Sequence, residues 1–307
     1  MPTLIDFRRR IRSVKNTQQI TRAMKFVAAA RLRRAQERVM AARPYARQIL
    51  RVLRSAAARI EQVAHPLLAR QDGPEKKLLL VVISADRGLC GAFNTNVLRK
   101  TLEFLRANTG KEIELVAVGR RARDGLRRAR FPLKAEMLNV TMNVKFSDAQ
   151  ELAALAIQEY TSGGADAVYL IYNEFKNVLV QRLVVFRLLP IEPEVVAAPR
   201  SEIAGQGSAA SAGAPGPAAP AEVDYIYEQP PAEIFEGMVP RYVQTEVFRA
   251  LLESSAAEHA ARMTAMEAAT NNAADLIDRL TLHMNKVRQA AITKEIIEVV
   301  SGAATPG

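Results

Sequence analysis

Within eight residues, Ser84-Ala85-Asp86-Arg87-Gly88-Leu89-Cys90-Gly91 offers a hydroxyl, a carboxylate, a guanidinium, a thiol and two glycines. The stretch follows the apolar run Leu78–Ser84, the place where an α/β domain carries a phosphate loop. Neither GxxxxGK[ST] nor GxGxxG is present. Gly88 and Gly91 suit a tight strand-to-helix turn as well as they suit a ligand. Asp86 and Arg87 have the charges to pair with each other or with a partner. A helix start beside Cys90 would lower its pKa, but a lone cysteine also serves as a small buried hydrophobe.

The remaining reactive side chains do not form a constellation. Cys90 is the only cysteine, which excludes an internal disulfide and a cysteine metal cluster. His65, His259 and His283 are scattered. His259 falls on an apolar helical register and reads as a packing residue. His283 lies beside that register with no acidic or histidine neighbour. No Ser/His/Asp set or metal spacing can be assembled. The expectation is a protein that is not an enzyme on its own, with no catalytic residue, cofactor or metal.

Long helices dominate the pattern that positions these residues. Leu252, Ala256, His259, Met263, Met266, Thr270, Ala273, Ile277, Leu280, Met284, Val287 and Ala291 recur at alternating spacings of four and three. A mean of 3.5 held over many turns is a left-handed coiled-coil seam. Leu4, Phe7, Ile11 and Val14 open a matching seam, and Leu32, Ala35, Val39 and Ala42 continue it. Gln18, Thr21, Lys25 and Ala28 occupy the register between them, while Ile20, Met24 and Val27 sit off it. That interval is read as a stutter or as a second face with another use. Pro44 removes one backbone donor and is expected to kink the first helix near its middle, with the helix resuming through Ala46–Ile60. Sixty helical residues would extend roughly 90 Å.

Between the helices the period changes. Leu78–Ser84, Ile113–Gly119, Ala167–Asn173 and Leu183–Pro190 are apolar, β-rich runs. Helical patterns at Asn94–Ala107, Arg120–Arg128 and Ser147–Tyr160 separate the first three strands. The predicted fold is a long antiparallel coiled coil of the N- and C-terminal helices plus a small Rossmann-like α/β domain with a mostly parallel sheet. The expected divisions are residues 1–62 for the first helix, 76–195 for the α/β domain, 197–223 for an Ala/Gly/Pro/Ser-rich flexible loop, and 231–302 for the last helix.

Charge is uneven. Residues 1–60 alone carry +14 of a net +11. A basic helix invites a nucleic-acid reading, although few aromatics interleave with its arginines. The Arg-rich start lacks the apolar core of a signal peptide, and no apolar run reaches membrane-spanning length.

Ile11–Gln36 (IRSVKNTQQITRAMKFVAAARLRRAQ) closely resembles the N-terminal helix of the gamma subunit of F-type ATP synthase. Ile83–Asn94 (ISADRGLCGAFN) resembles the family's motif after the first strand, and Asn285–Ala303 (NKVRQAAITKEIIEVVSGA) is similar to its C-terminal signature. The resemblance implies the central rotary shaft of a proton-translocating ATP synthase, coupling proton flow to cycling of the catalytic beta subunits. Its implied partners are the alpha and beta subunits of the head, the epsilon subunit and the c-subunit ring. Nucleic acid is not among them, and the membrane is met only through the complex, peripherally, at the cytoplasmic face of a bacterial cell membrane. The same resemblance places Arg288, Gln289 and Thr293 among the polar residues that engage a beta-subunit loop. Met24 and Lys25 fall in the region that passes the beta subunit's acidic lever segment. Some photosynthetic relatives carry a redox cysteine pair in an insert, and Ala204–Ala221 holds no cysteine.

Helical geometry adds one expectation. At 100° per residue, Gln289, Ile292 and Ile296 point away from the seam residue Val287. A neutral, partly apolar outward face marks a partner surface.

Overall fold

The computed structural model describes residues 3–60, 65–69, 75–192 and 227–303. The expected 197–223 loop lies outside the described residues. The elements are α1 (Leu4–Ala57), β1 (Lys77–Ile83), α2 (Phe93–Ala107), β2 (Glu112–Val118), α3 (Arg120–Arg128), β3 (Ala135–Met137), α4 (Phe146–Thr161), β4 (Ala167–Phe175), β5 (Gln181–Leu189) and α5 (Pro231–Ala303). The chain divides into two compact units. One comprises Met1–Arg33, Leu89–Gly91 and His259–Gly307, and the other Arg34–Gly88 and Ala92–Glu258.

The first unit is a helix pair. A reciprocal cap starts α1: the Asp6 amide donates to Thr3 Oγ1 at 3.3 Å, and the Thr3 amide donates to Asp6 Oδ2 at 2.9 Å. The Thr3 amide and the Thr3 hydroxyl, which also donates to Asp6 Oδ2 at 2.8 Å, hold the exposed Asp6 carboxyl below its usual range. Three contacts fix the direction of the pair. The Phe7 and His283 rings lie 5.0 Å apart. Thr270 Oγ1 donates to Thr21 Oγ1 at 2.8 Å. Lys25 Nζ meets Glu267 Oε1 at 2.6 Å. As the position on α1 advances, its partner on α5 recedes, so the helices are antiparallel.

The register needs one correction. Gln18, Thr21, Lys25 and Ala28 are all shielded in step with Val14 before them and Leu32 after them. There is no stutter. Polar side chains can hold seam positions when each finds a partner, and Thr21 and Lys25 do. Off-register Ile20 and Val27 are the exposed ones, at 60% and 53%. The shielded register continues through Ala35, Val39, Ile49, Leu53 and Ala56. Helix α1 passes through Pro44 to Ala57.

The second unit holds a five-stranded sheet in the order β3-β2-β1-β4-β5. The β1–β2, β1–β4 and β2–β3 pairs are parallel, and β5 runs antiparallel to β4. Strand β1 is buried from Leu78 to Ile83, which is why its sequence is continuously apolar. Leu80, Val82, Leu115, Ala117 and Ile171 on the sheet pack with Val97 of α2 and Ala122 and Leu126 of α3. In this unit α5 is buried on nearly every side from Ala250 to Glu258, charged residues included.

Candidate partner-binding surface of the helix pair

The seam determines which side chains remain for partners. On α5 beyond Asn272, the shielded residues are Ala273, Ala274, Ile277, Leu280, Thr281, Met284, Asn285, Val287 and Ala291. They are the 3.5-period register plus flanking positions. Outside that register α5 carries Leu276, Leu282, Ile292, Ile296, Ile297 and Val299, all exposed and apolar. Exposed large aliphatics at this density on one helix tip mark a surface that a partner covers.

The structure separates the expected contact residues into two groups. Arg288, Gln289, Ile292, Thr293 and Ile296 all face outward on the last turns of α5. The Thr293 hydroxyl donates back to the Gln289 carbonyl at 3.0 Å. Its oxygen keeps lone pairs for an incoming donor. Met24 and Lys25 differ from these five. Met24 is half-buried, and Lys25 reaches across the seam to Glu267. The pair remains wet, with side-chain exposures of 32% and 48%, so its attraction is screened.

The exposed apolar residues of α1 were only partly legible. Ile20 and Val27 stand out as off-register, but Ile5, Phe26 and Met40, each more than 60% exposed, carry no signal beyond their types. Leu89 is a further exposed aliphatic at 63%, held in the left-handed region at φ 62°. A leucine rarely adopts that conformation.

The Ser84–Gly91 motif turns out to be architectural. Asp86 Oδ1 accepts from the Arg120 amide at 3.1 Å and the Asn139 amide at 2.9 Å, and Oδ2 accepts from the Thr141 hydroxyl at 3.0 Å. Asp86 therefore satisfies the first amide of α3, where an anion would otherwise bind. Ser84 Oγ accepts from the Ala122 amide at 2.6 Å, and Asn94 Oδ1 accepts from the Ala85 amide at 3.0 Å. Cys90 is a buried thiol that forms no disulfide. Only glycine fits at position 119: φ is 92°, and a Cβ would sit 2.3 Å from the Ser84 carbonyl oxygen.

His259 is buried on the seam, 3.3 Å from Arg262 Nη1. Burial, then Arg262 and Arg31, push its pKa down to about 4, so the ring is neutral at pH 7.

The helix pair leaves exposed apolar side chains outside its seam, and in the second unit Ser84, Asp86 and Asn94 serve the fold, which together define a protein that presents a surface to partners. A family model described as ATP synthase matches residues 3–305. The chain is 50% identical to the ATP synthase gamma chain of Solibacter usitatus, over 99% of both chains. It is 46% identical to that of Pelotomaculum thermopropionicum, again over 99% of both. It also resembles a chain in the structure of the Tetrahymena thermophila mitochondrial ATP synthase central stalk and c-ring. That match has 29% identity and a TM-score of 0.54, covering 81% of this chain and 99% of the other. The chain belongs to the ATP synthase gamma-chain family. It is a non-catalytic subunit of that complex, associated with a membrane through the complex, and no described helix is long and apolar enough to cross one.

Proposed function

We propose that this chain is the turning shaft of a proton-translocating ATP synthase, with the helix pair inside a sleeve of alpha and beta subunits. The α/β domain would meet the epsilon subunit and the c-subunit ring, at the cytoplasmic face of a bacterial cell membrane. One observation carries the reading: the tip of α5 is patterned on two sides. Ile277, Leu280, Met284 and Val287 grip the other helix, while Gln289, Ile292, Thr293 and Ile296 turn outward. A shaft needs torsional stiffness, which a continuous seam supplies. It also needs an outer surface that slides, and neutral or apolar groups do not lock into fixed ion pairs as charges do. The basic face of α1 suits acidic segments of the sleeve.

Within this reading Gln289 and Thr293 hydrogen-bond to a beta-subunit loop, Arg288 adds a charge there, and Ile292 and Ile296 bear on the sleeve. Met24 marks the α1 surface that passes the acidic lever segment, and Lys25 contributes positive charge to it. The test is Mg-ATP hydrolysis by purified alpha and beta subunits of the same source, with and without this chain. A stable complex containing one copy of the chain, with multisite turnover, is the expected result. Absence of a complex, with steeply salt-dependent DNA or RNA binding instead, would overturn the reading.

A further inference from the structure

In the unit formed by Arg34–Gly88 and Ala92–Glu258, α5 buries more negative than positive charge. Glu246 and Glu253 are 7% and 8% exposed. Between them lies Arg249, whose Nη2 is 2.8 Å from Glu246 Oε2 and whose Nε is 4.0 Å from Glu253 Oε1. The close contact therefore belongs to Glu246. Glu253 Oε2 is buried with no hydrogen-bond partner, and Arg249 Nε likewise makes none.

Among the described residues, no second cation lies within ion-pair distance of Glu253. From β4 come Tyr172, buried, and Glu174, whose carboxylate is 3.1 Å from Lys176 Nζ. From α1 comes Arg43, which is exposed and acts on Glu253 only through space. Tyr242, on α5 itself, is buried and neutral, its pKa pushed up by burial. Two buried carboxylates thus share one partly exposed guanidinium, and its close contact is with Glu246. An unpaired ionised oxygen in such a pocket costs several kcal/mol, and the usual escape is to take up a proton.

We propose that Glu253 is a proton-binding site built into the base of α5: its carboxyl carries a proton in the packed state, and the packing of α5 in this pocket weakens when that proton leaves. Burial, countered by Arg249 and reinforced by Glu174, pushes the Glu253 carboxyl up to about 7. Glu246 is raised in the same direction by burial, with Arg249 opposing. The folded value lies above the unfolded one. Stability from this group is therefore fully present below about pH 4.5, declines as pH rises, and is gone above about pH 7. Near neutral pH the group is half-titrated, so small changes in proton concentration alter how firmly α5 is held. The inference depends only on this pocket and stands apart from the shaft reading.

The test is an infrared pH titration of the full-length chain, followed in the carboxyl stretching region between about pH 5 and about pH 9. The expected result is a protonated-carboxyl band that fades with a midpoint near neutrality, is absent in Glu253→Gln and is retained in Glu174→Gln. In parallel, the thermal midpoint of the wild type should fall relative to Glu253→Gln as pH rises through the same window. Absence of the band in the wild type, or its survival at full amplitude in Glu253→Gln, overturns the proposal. So does failure of Glu253→Gln to fold, because the amide is the neutral isostere of the protonated acid.

Discussion

Lys25 Nζ lies 2.6 Å from Glu267 Oε1, across a seam whose neighbouring layer is Thr21 and Thr270. A lysine at a core register position usually costs stability in exchange for fixing register. Here half-exposure and a carboxylate partner soften that cost. A double-mutant cycle on Lys25→Ala and Glu267→Ala should give a coupling energy of about 0.5 kcal/mol, shrinking with added salt. Lys25→Met should leave stability unchanged or higher, because a thioether fills the same space without desolvating a charge. Urea unfolding of the full chain measures both. A coupling well above about 1 kcal/mol would mean the pair is drier than its exposure indicates.

Gly119 predicts a much larger effect. Adding one methyl places it 2.3 Å from the Ser84 carbonyl oxygen, a backbone atom that cannot swing away, at a φ that disfavours any side chain. Ser84 in turn receives the Ala122 amide, so displacing it also unsettles the start of α3. Gly119→Ala should cost roughly 3 kcal/mol or more. The readouts are a lowered urea midpoint and poor soluble yield. Gly110→Ala is the control: that glycine also has positive φ, but a Cβ there meets nothing within 4 Å. It should lose only about 1 kcal/mol.

The sequence and the structure agree best where burial is continuous or strictly periodic. Strands β1, β2 and β4 are continuously apolar over Leu78–Ile83, Leu115–Val118 and Ala167–Tyr172, where both faces are covered, and the α5 seam keeps 3.5 residues per turn because one narrow stripe is shielded. Agreement fails where polar residues take apolar positions. Gln18, Thr21 and Lys25 suggest a broken register only when their partners Glu267 and Thr270, more than 240 residues away, are unknown. Glu246 and Glu253 look like part of a solvated helix face until tertiary packing closes around them. Strand β3 spans just three residues, Ala135–Met137, and has no pattern to detect. The role of Asp86 depends on Arg120, Asn139 and Thr141, which no local spacing connects to it. Among the candidate contacts, the outward direction of Gln289, Ile292 and Ile296 was readable because helical geometry alone sets it.

His259 gives a pH dependence of definite sign. Its folded pKa, about 4, lies below the ordinary histidine value of 6.5, so the unfolded chain binds a proton that the folded chain refuses. The contribution to stability is complete above about pH 6.5 and is lost as pH falls toward 4. The total is roughly 3 kcal/mol at most. Over the overlapping range the Glu253 slope has the opposite sign, so wild-type data alone would understate both. The difference in unfolding free energy between the wild type and His259→Gln isolates the histidine. That difference should shift in favour of the variant as the solution is acidified. A flat difference curve would show that the imidazole is more hydrated than its burial beside Arg262 indicates.

The tip of α5 allows folding and coupling to be separated. Gln289, Ile292, Thr293 and Ile296 are exposed, and the one hydrogen bond among their side chains, Thr293 to the Gln289 carbonyl, stays within the helix. Substituting them should change the stability of the isolated chain by about 0.5 kcal/mol or less. If the outward face bears on a sleeve, Ile292→Asp and Ile296→Asp place charge against an apolar partner and should lower turnover of the assembled complex severalfold. Gln289→Ala with Thr293→Ala should weaken assembly by removing hydrogen-bond donors, each worth about 1 kcal/mol. Val287→Asp is the contrast: it places a carboxylate in the seam, so the chain itself should lose stability before any partner is added. Circular dichroism melts of the chain and ATP hydrolysis by the complex should therefore respond to different sets of residues one turn apart. Equal loss of stability from Ile296→Asp and Val287→Asp would place Ile296 in the seam and leave the outward face without a role.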